Sequence, residues 1–211
     1  LIDDNFASIV GAIEEGRTIF ENIKIFLNYL LTGNAACILA VFISLLIGLP
    51  MPLLALQILW FNLITETIPS IALTKEPPEK NNMMQKPKKS DENFITKHDI
   101  THMVITALII TAGILGVFCF ALFRTGWAIG QPNFDSSSLN YIYATTMAFT
   151  TLVFFQLFNV FNAKSLKSSI FFEELLNNKW LLFAIGISII LQIMVINIPL
   201  MNQTFNTVHL N

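Results

Sequence analysis

Five stretches of this chain are apolar for long enough to cross a bilayer as helices, which takes about 20 residues each. They cover residues 26–48, 53–73, 101–123, 141–163 and 180–199. Charged residues make up only 12% of the 211 residues, against about 25% in a typical soluble domain. The expected fold is therefore all-α: a multi-span transmembrane helical bundle whose main partner is the lipid bilayer. The net charge of −2 gives no sign of a nucleic-acid partner, and none is expected. Cys37 and Cys119 both fall inside apolar runs and read as buried free thiols, with no metal spacing or disulfide framework.

Basic residues set the orientation. Arg17 and Lys24 precede the first run. Lys75, Lys80, Lys86, Lys88, Lys89 and Lys97 follow the second, and Lys164, Lys167 and Lys179 follow the fourth. If all five runs cross, these share one side and only Arg124 is opposite. The basic side, with the N-terminus, is expected to be cytoplasmic. The chain starts with Leu1 and carries no signal-peptide pattern. It is read as a piece of a longer protein, with residues 200–211 an extracytoplasmic tail before a further span.

The first run has a long approach. Asp3, Asp4 and Asn5 are good helix-start residues, and Phe6, Ile9, Val10 and Ile13 recur at helical spacing. No proline intervenes before Pro50. A helix from about 5 to 48 would be roughly 66 Å long, about twice the hydrocarbon thickness. Residues 1–25 are thus expected to form a cytoplasmic stalk, and residues 26–199 the membrane domain. The other reading of the stalk is a separate amphipathic helix on the membrane surface. A tight turn at Leu49-Pro50-Met51-Pro52 is expected to join the first two spans, with prolines ending one helix and starting the next. Pro77, Pro78 and Pro87 mark the segment after the second span as a loop.

Glu66 is the only carboxylate or ammonium within the five runs. A charge at the centre of a membrane helix costs about 2.5–3.5 kcal/mol on insertion scales. Its side chain is too short to reach the interface, so it must be protonated, paired or facing a hydrated ion site. Pro69 follows three residues later and lacks the N–H that would bond the carbonyl of Thr65. The helix is expected to loosen there. The Thr65 hydroxyl and the Asn62 amide oxygen add to the set, and all of these are hard oxygen ligands suited to calcium or another hard cation. Asn34 is a lone amide in the first span beside Thr32 and Gly33. Gln156, Asn159 and Asn162 repeat every three residues on one face of the fourth span. Ordinary interhelical hydrogen bonding competes as the explanation for those amides, above all for Asn159 and Asn162. Gln192 and Asn197 read as packing or interface residues. On these residues alone, a pump, an exchanger and a channel all remain open.

Several segments, in order, resemble P-type cation-transporting ATPases. DDNFASIVGAIEEGRTIFENIKIFLNYL resembles the junction of their phosphorylation domain with the fifth membrane helix. LQILWFNLITETIPSIAL resembles the sixth helix and EPPEKNNMMQKPKK the loop after it. FFQLFNVFNAKS resembles the eighth helix and NNKWLLFAIGISIILQIMVINIP the ninth. The group most similar is that of the calcium pumps. The resemblance implies that the ATP-hydrolysing and phosphorylation domains, using ATP and Mg2+, and the first four helices lie outside this chain. It implies a stalk that carries their movement to the ion site.

The same resemblance places Asn62, Thr65 and Asn34 at ligand positions. It puts Glu66 where calcium pumps usually carry aspartate, and Cys37 and Gln156 where two-site pumps carry acids. The implied function is Ca2+ export from the cytoplasm through a single ion site, completed by a fourth-helix acid; a Lys-, Asn- and Ile-rich composition and short loops point to a bacterium, with its plasma membrane the expected location. A P-type pump for manganese, sodium, magnesium or protons is the alternative. A secondary exchanger or channel using Glu66, and a non-transporting membrane scaffold, are alternatives of other classes.

Overall fold

The computed structural model describes residues 6–77, 82–84, 95–127, 138–165 and 178–210. The expected helix start at Asp3, Asp4 and Asn5 lies outside these residues, as do Pro78, Lys80, Lys86, Pro87, Lys88, Lys89 and Lys167. Among the described residues there are helices and no strands, and five helical segments are long and apolar enough to span a membrane.

The first helix, α1, runs unbroken over Phe6–Leu46. Its 41 residues reach about 61 Å at about 1.5 Å each, so residues 6–25 and the apolar run after them are one element, as the missing proline implies. Phe6, Ile9, Val10 and Ile13 are exposed on it. The second span is composite. It consists of α2 (Ala55–Trp60), a π-helical turn (Phe61–Glu66) and α3 (Thr67–Leu73). A short 3-10 turn follows at Asn82–Met84. The later spans are α4 (Lys97–Arg124), α5 (Leu139–Ser165) and α6 (Lys179–Asn197), and α7 (Pro199–Phe205) is a short helix with proline in its first turn.

The expected four-residue turn between the first two spans is corrected by the structure. α1 ends at Leu46 and α2 begins at Ala55, so the connection takes residues 47–54. Gly48, not a proline, turns the chain out of the helix, at φ 74°. A residue with a Cβ adopts that conformation only at a cost. The segment is then tied down from outside: the Ser44 hydroxyl donates to Pro50 O at 2.8 Å, and Tyr141 OH donates to Met51 O at 2.8 Å.

Small residues bring the spans together. Ala36, Cys37 and Ala40 of α1 pack against Ala107, Ile110 and Ile114 of α4 and Ala144, Ala148 and Leu152 of α5. Close approach of this kind is what drives helix association where lipid is as apolar as protein. The Thr111 hydroxyl donates to Ala36 O at 3.2 Å across the α1–α4 contact. Cys37 is a buried free thiol as expected, whereas Cys119 is only half-buried.

The basic ends of the helices gather. Lys24 on α1 pairs with Asp99 on α4 at 2.7 Å, and Lys164 on α5 pairs with Glu76 at 2.9 Å. Lys75 lies 5.3 Å from the ring centroid of Trp180 on α6. Glu76 is a buried hub. Its Oε1 accepts from Asn178 Nδ2 at 2.9 Å, and its backbone O accepts from Asn22 Nδ2 at 2.8 Å. The same two amides also donate to Ala72 O at 3.1 Å and Thr74 O at 3.2 Å. A helix end leaves carbonyls unpaired. Here the carbonyls at and just after the end of α3 are satisfied by Asn22 of α1 on one side and by Asn178, the residue before α6, on the other.

Candidate cation site

Glu66 ends the π-turn and is buried, at 1% exposure. The loosened turn lies immediately before α3, which contains Pro69, as expected from the N–H that proline lacks. π-turns inside helices are frequent at functional sites. Two hydroxyls support the irregular backbone: Thr67 Oγ1 donates to Asn62 O at 2.8 Å, and Ser70 Oγ donates to Thr67 O at 2.8 Å. Thr65 is buried beside Glu66. Asn62 Oδ1 is buried and has no hydrogen-bond partner. An acceptor left so in a protein interior costs free energy, and this one lies one turn from the carboxylate.

Three elements meet at Glu66. Asn34 Nδ2 on α1 donates to Oε2 at 3.1 Å, and Gln156 Nε2 on α5 donates to Oε1 at 3.0 Å. Each amide nitrogen also faces a backbone carbonyl: Asn34 Nδ2 donates to Leu30 O at 3.0 Å, and Gln156 Nε2 to Tyr29 O at 3.0 Å. Flipping either amide would set oxygen against two acceptors, so their direction follows from the network. Hydrogen bonds to a charged group contribute about 1.5–3 kcal/mol each. Two of them work against the cost of placing a carboxylate inside a membrane-spanning helix.

A ladder of amides leads away from the carboxylate. Gln156 Oε1 accepts from Asn159 Nδ2 at 3.4 Å, and Asn159 Oδ1 accepts from Asn162 Nδ2 at 3.4 Å. Asn162 Nδ2 donates to Thr106 Oγ1 on α4 at 3.2 Å. The interhelical role expected for Asn162 is therefore present. Asn197 instead bonds its own helix, donating to Ile193 O at 2.8 Å, and Gln192 is buried in α6 with no partner for either polar atom.

The structure thus brings Asn34, Glu66 and Gln156 into direct contact, with Asn62 and Thr65 on the same π-turn. As they stand, Asn34 and Gln156 present nitrogen, not oxygen, to the carboxylate. Among the described residues no group of three or more His, Cys, Asp or Glu gathers. A cation at Glu66 would therefore meet one charged group and neutral oxygens, a hard-ligand set. Reading the sequence gave Gly33 no role beyond its place beside Asn34, and missed Tyr29 O, Thr67 and Thr106. Only Thr67 and Thr106 carried a signal, as hydroxyls within apolar helices.

The fold and this centre define a polytopic all-α membrane domain with a carboxylate–amide cluster in its interior. Comparison with known proteins makes the assignment specific. The family model "Cation transporting ATPase, C-terminus" matches residues 50–211, and the chain belongs to this family, the C-terminal membrane region of P-type cation-transporting ATPases. It is 37% identical over 208 residues to a calcium-transporting ATPase of Bacillus subtilis, covering 99% of this chain and 22% of that one. It is 36% identical over 212 residues to calcium-transporting ATPase 1 of Bacillus cereus, covering 97% of this chain and 23% of that one. Against calcium-transporting ATPase type 2C member 1 of Homo sapiens the identity is 33% over 207 residues, 98% of this chain and 21% of that one. The chain spans about a fifth of the length of these relatives.

Proposed function

We propose that this chain is the membrane part of an ATP-driven pump that exports calcium from the cytoplasm, one ion per cycle, through a site at Glu66. The observation that carries the reading is the buried Glu66 carboxylate on a π-turn, beside the unpartnered Asn62 oxygen and bridged to two other helices. Three relatives named as calcium-transporting ATPases support calcium as the cargo.

Glu66 supplies the charge, and Asn62 and Thr65 supply neutral oxygens. Asn34 and Gln156 hold the carboxylate and can turn their oxygens inward when a cation replaces their acceptor. A further acid from another part of the protein completes the coordination. Site stoichiometry follows from the charge count: Cys37 and Gln156 add none, so one divalent ion is the natural load. ATP and Mg2+ act in domains outside this chain. Their movement reaches the site along α1, whose Asn22 grips the end of α3. The basic end of the bundle faces the cytoplasm, and the membrane is the plasma membrane of a bacterium.

The test is ATP-driven uptake by the full-length protein in vesicles, across calcium, manganese, magnesium, sodium and protons. Calcium uptake that Glu66→Gln abolishes, at one ion per ATP, is the expected result. Two calcium ions per ATP would overturn the single site, and Glu66-dependent uptake of a different cation would overturn the cargo.

A further inference from the structure

Gly33 lies on α1 where the Glu66 carboxylate and the Gln156 amide meet. A Cβ built on Gly33 would overlap both Glu66 Oε1 and Gln156 Nε2, and would stand 2.8 Å from Gln156 Cδ. The two overlapped atoms are themselves a bonded pair, Nε2 donating to Oε1 at 3.0 Å. The bond therefore lies against a bare Cα. At Gly11, Gly16, Gly116 and Gly186 an added Cβ meets nothing within 4 Å, and at Gly113 it would meet the Phe155 ring at 2.7 Å, an apolar contact and not a polar pair. Glycine weakens a helix interior relative to alanine. At Gly33 that loss coincides with the one glycine-to-carboxylate approach among the described residues.

We propose that Gly33 is a size-selecting position of the cation site, whose missing Cβ gives the glutamate at position 66 the room to join Gln156. The inference rests on reading Glu66 as the residue that binds the transported cation. An aspartate at 66 would be one methylene shorter and would stop short of the Cβ volume. A glutamate fills it. The atoms that a Cβ would displace are the far ends of flexible side chains, not backbone. Gly33→Ala therefore leaves the fold intact and separates Glu66 from its donor.

The experiment is a double-mutant cycle in the full-length pump reconstituted in vesicles. Initial calcium uptake is measured against free calcium for wild type, Gly33→Ala, Glu66→Asp and the pair. Gly33→Ala is expected to raise the half-saturating calcium concentration about tenfold or more, with the maximal rate changed far less. In the Glu66→Asp background the same substitution is expected to cost less than about threefold. An equal factor in both backgrounds, or no effect in the wild type, overturns the proposal. So does a Gly33→Ala protein that fails to elute as a folded monodisperse species, because the flexible ends are held to absorb the overlap. Where Glu66→Asp transports too weakly to titrate, Gln156→Ala serves as the second background, since it removes the other overlapped group, and the same criterion applies. A wild-type pump that moves no calcium counts against the cargo, not against Gly33. The cycle is then read with whichever cation loses its uptake in Glu66→Gln.

Discussion

Gln156 Nε2 donates to Glu66 Oε1 at 3.0 Å, bridging the fourth span to the second across the middle of the bundle. The same nitrogen donates to Tyr29 O on the first span at 3.0 Å. One amide thus ties three helices at the buried Glu66 carboxylate, and its direction is set by two acceptors.

Replacing that carboxylate with its neutral isostere separates charge from shape. Glu66→Gln keeps the volume but sets a side-chain NH2 against either Asn34 Nδ2 or Gln156 Nε2, so one of the two donors loses its acceptor. The expected outcome is uptake at background level, with helix content and elution volume unchanged. Circular dichroism and gel filtration beside the uptake assay check both halves. Uptake that survives would move the ion elsewhere.

The amide ladder predicts a graded series. Gln156→Ala removes a donor to Glu66 directly. Asn159→Ala removes only a 3.4 Å support of Gln156, and Thr106→Val removes the acceptor at the far end. Half-saturating calcium should rise about tenfold, then about threefold, then less than about twofold, as each step falls further from the charged group. Thr106→Ser should match wild type. A Thr106→Val effect as large as that of Gln156→Ala would mean that the ladder matters for packing and not for the site.

At the basic end, Asn22 donates to Thr74 O at 3.2 Å and Glu76 O at 2.8 Å. Asn22→Ala takes this donor from both carbonyls, that of Glu76 in a buried place. The expected loss is about 1–3 kcal/mol of stability, read as a lower melting temperature in detergent. Because this contact joins the stalk to the helix carrying Glu66, calcium moved per ATP should fall as well. Unchanged coupling with a lower melting temperature would confine Asn22 to a structural role.

These outcomes depend on residues of unequal legibility. The five spans were plain from apolar length, and the unbroken α1 from the absence of proline before Pro50. Glu66 stood out as the lone charge, and Pro69 pointed to the loosened turn because a missing N–H has a fixed partner four residues back. Gly33 gave no such sign. Its role comes from a contact among three helices, which no local pattern encodes. Gly48 was overshadowed by the two prolines after it, although its positive φ ends the helix. The Thr96–Asp99 capping box was available as a spacing signal: Thr96 N–H donates to Asp99 Oδ2 at 2.8 Å and Asp99 N–H to Thr96 Oγ1 at 3.3 Å. The Glu76 hub was not, since its amide partners lie 54 and 102 residues away along the chain.

Pro69 offers the prediction with two opposite signs. Pro69→Ala returns an N–H that can reach the carbonyl of Thr65 and complete the α-helical ladder. Proline in a helix interior is about 3 kcal/mol less favourable than alanine, so the variant should melt no lower than wild type and can melt higher. Yet a regular helix through residues 61–66 would rotate Asn62 and Glu66 relative to Asn34 and Gln156, which are fixed by their own carbonyls at Leu30 and Tyr29. Bonds at 3.0 and 3.1 Å do not survive a shift of an ångström or more. Half-saturating calcium should therefore rise by about tenfold while stability holds. Stability and affinity falling together would show that Pro69 serves packing alone. Stability kept with affinity lost would show that the irregular turn exists for the ion.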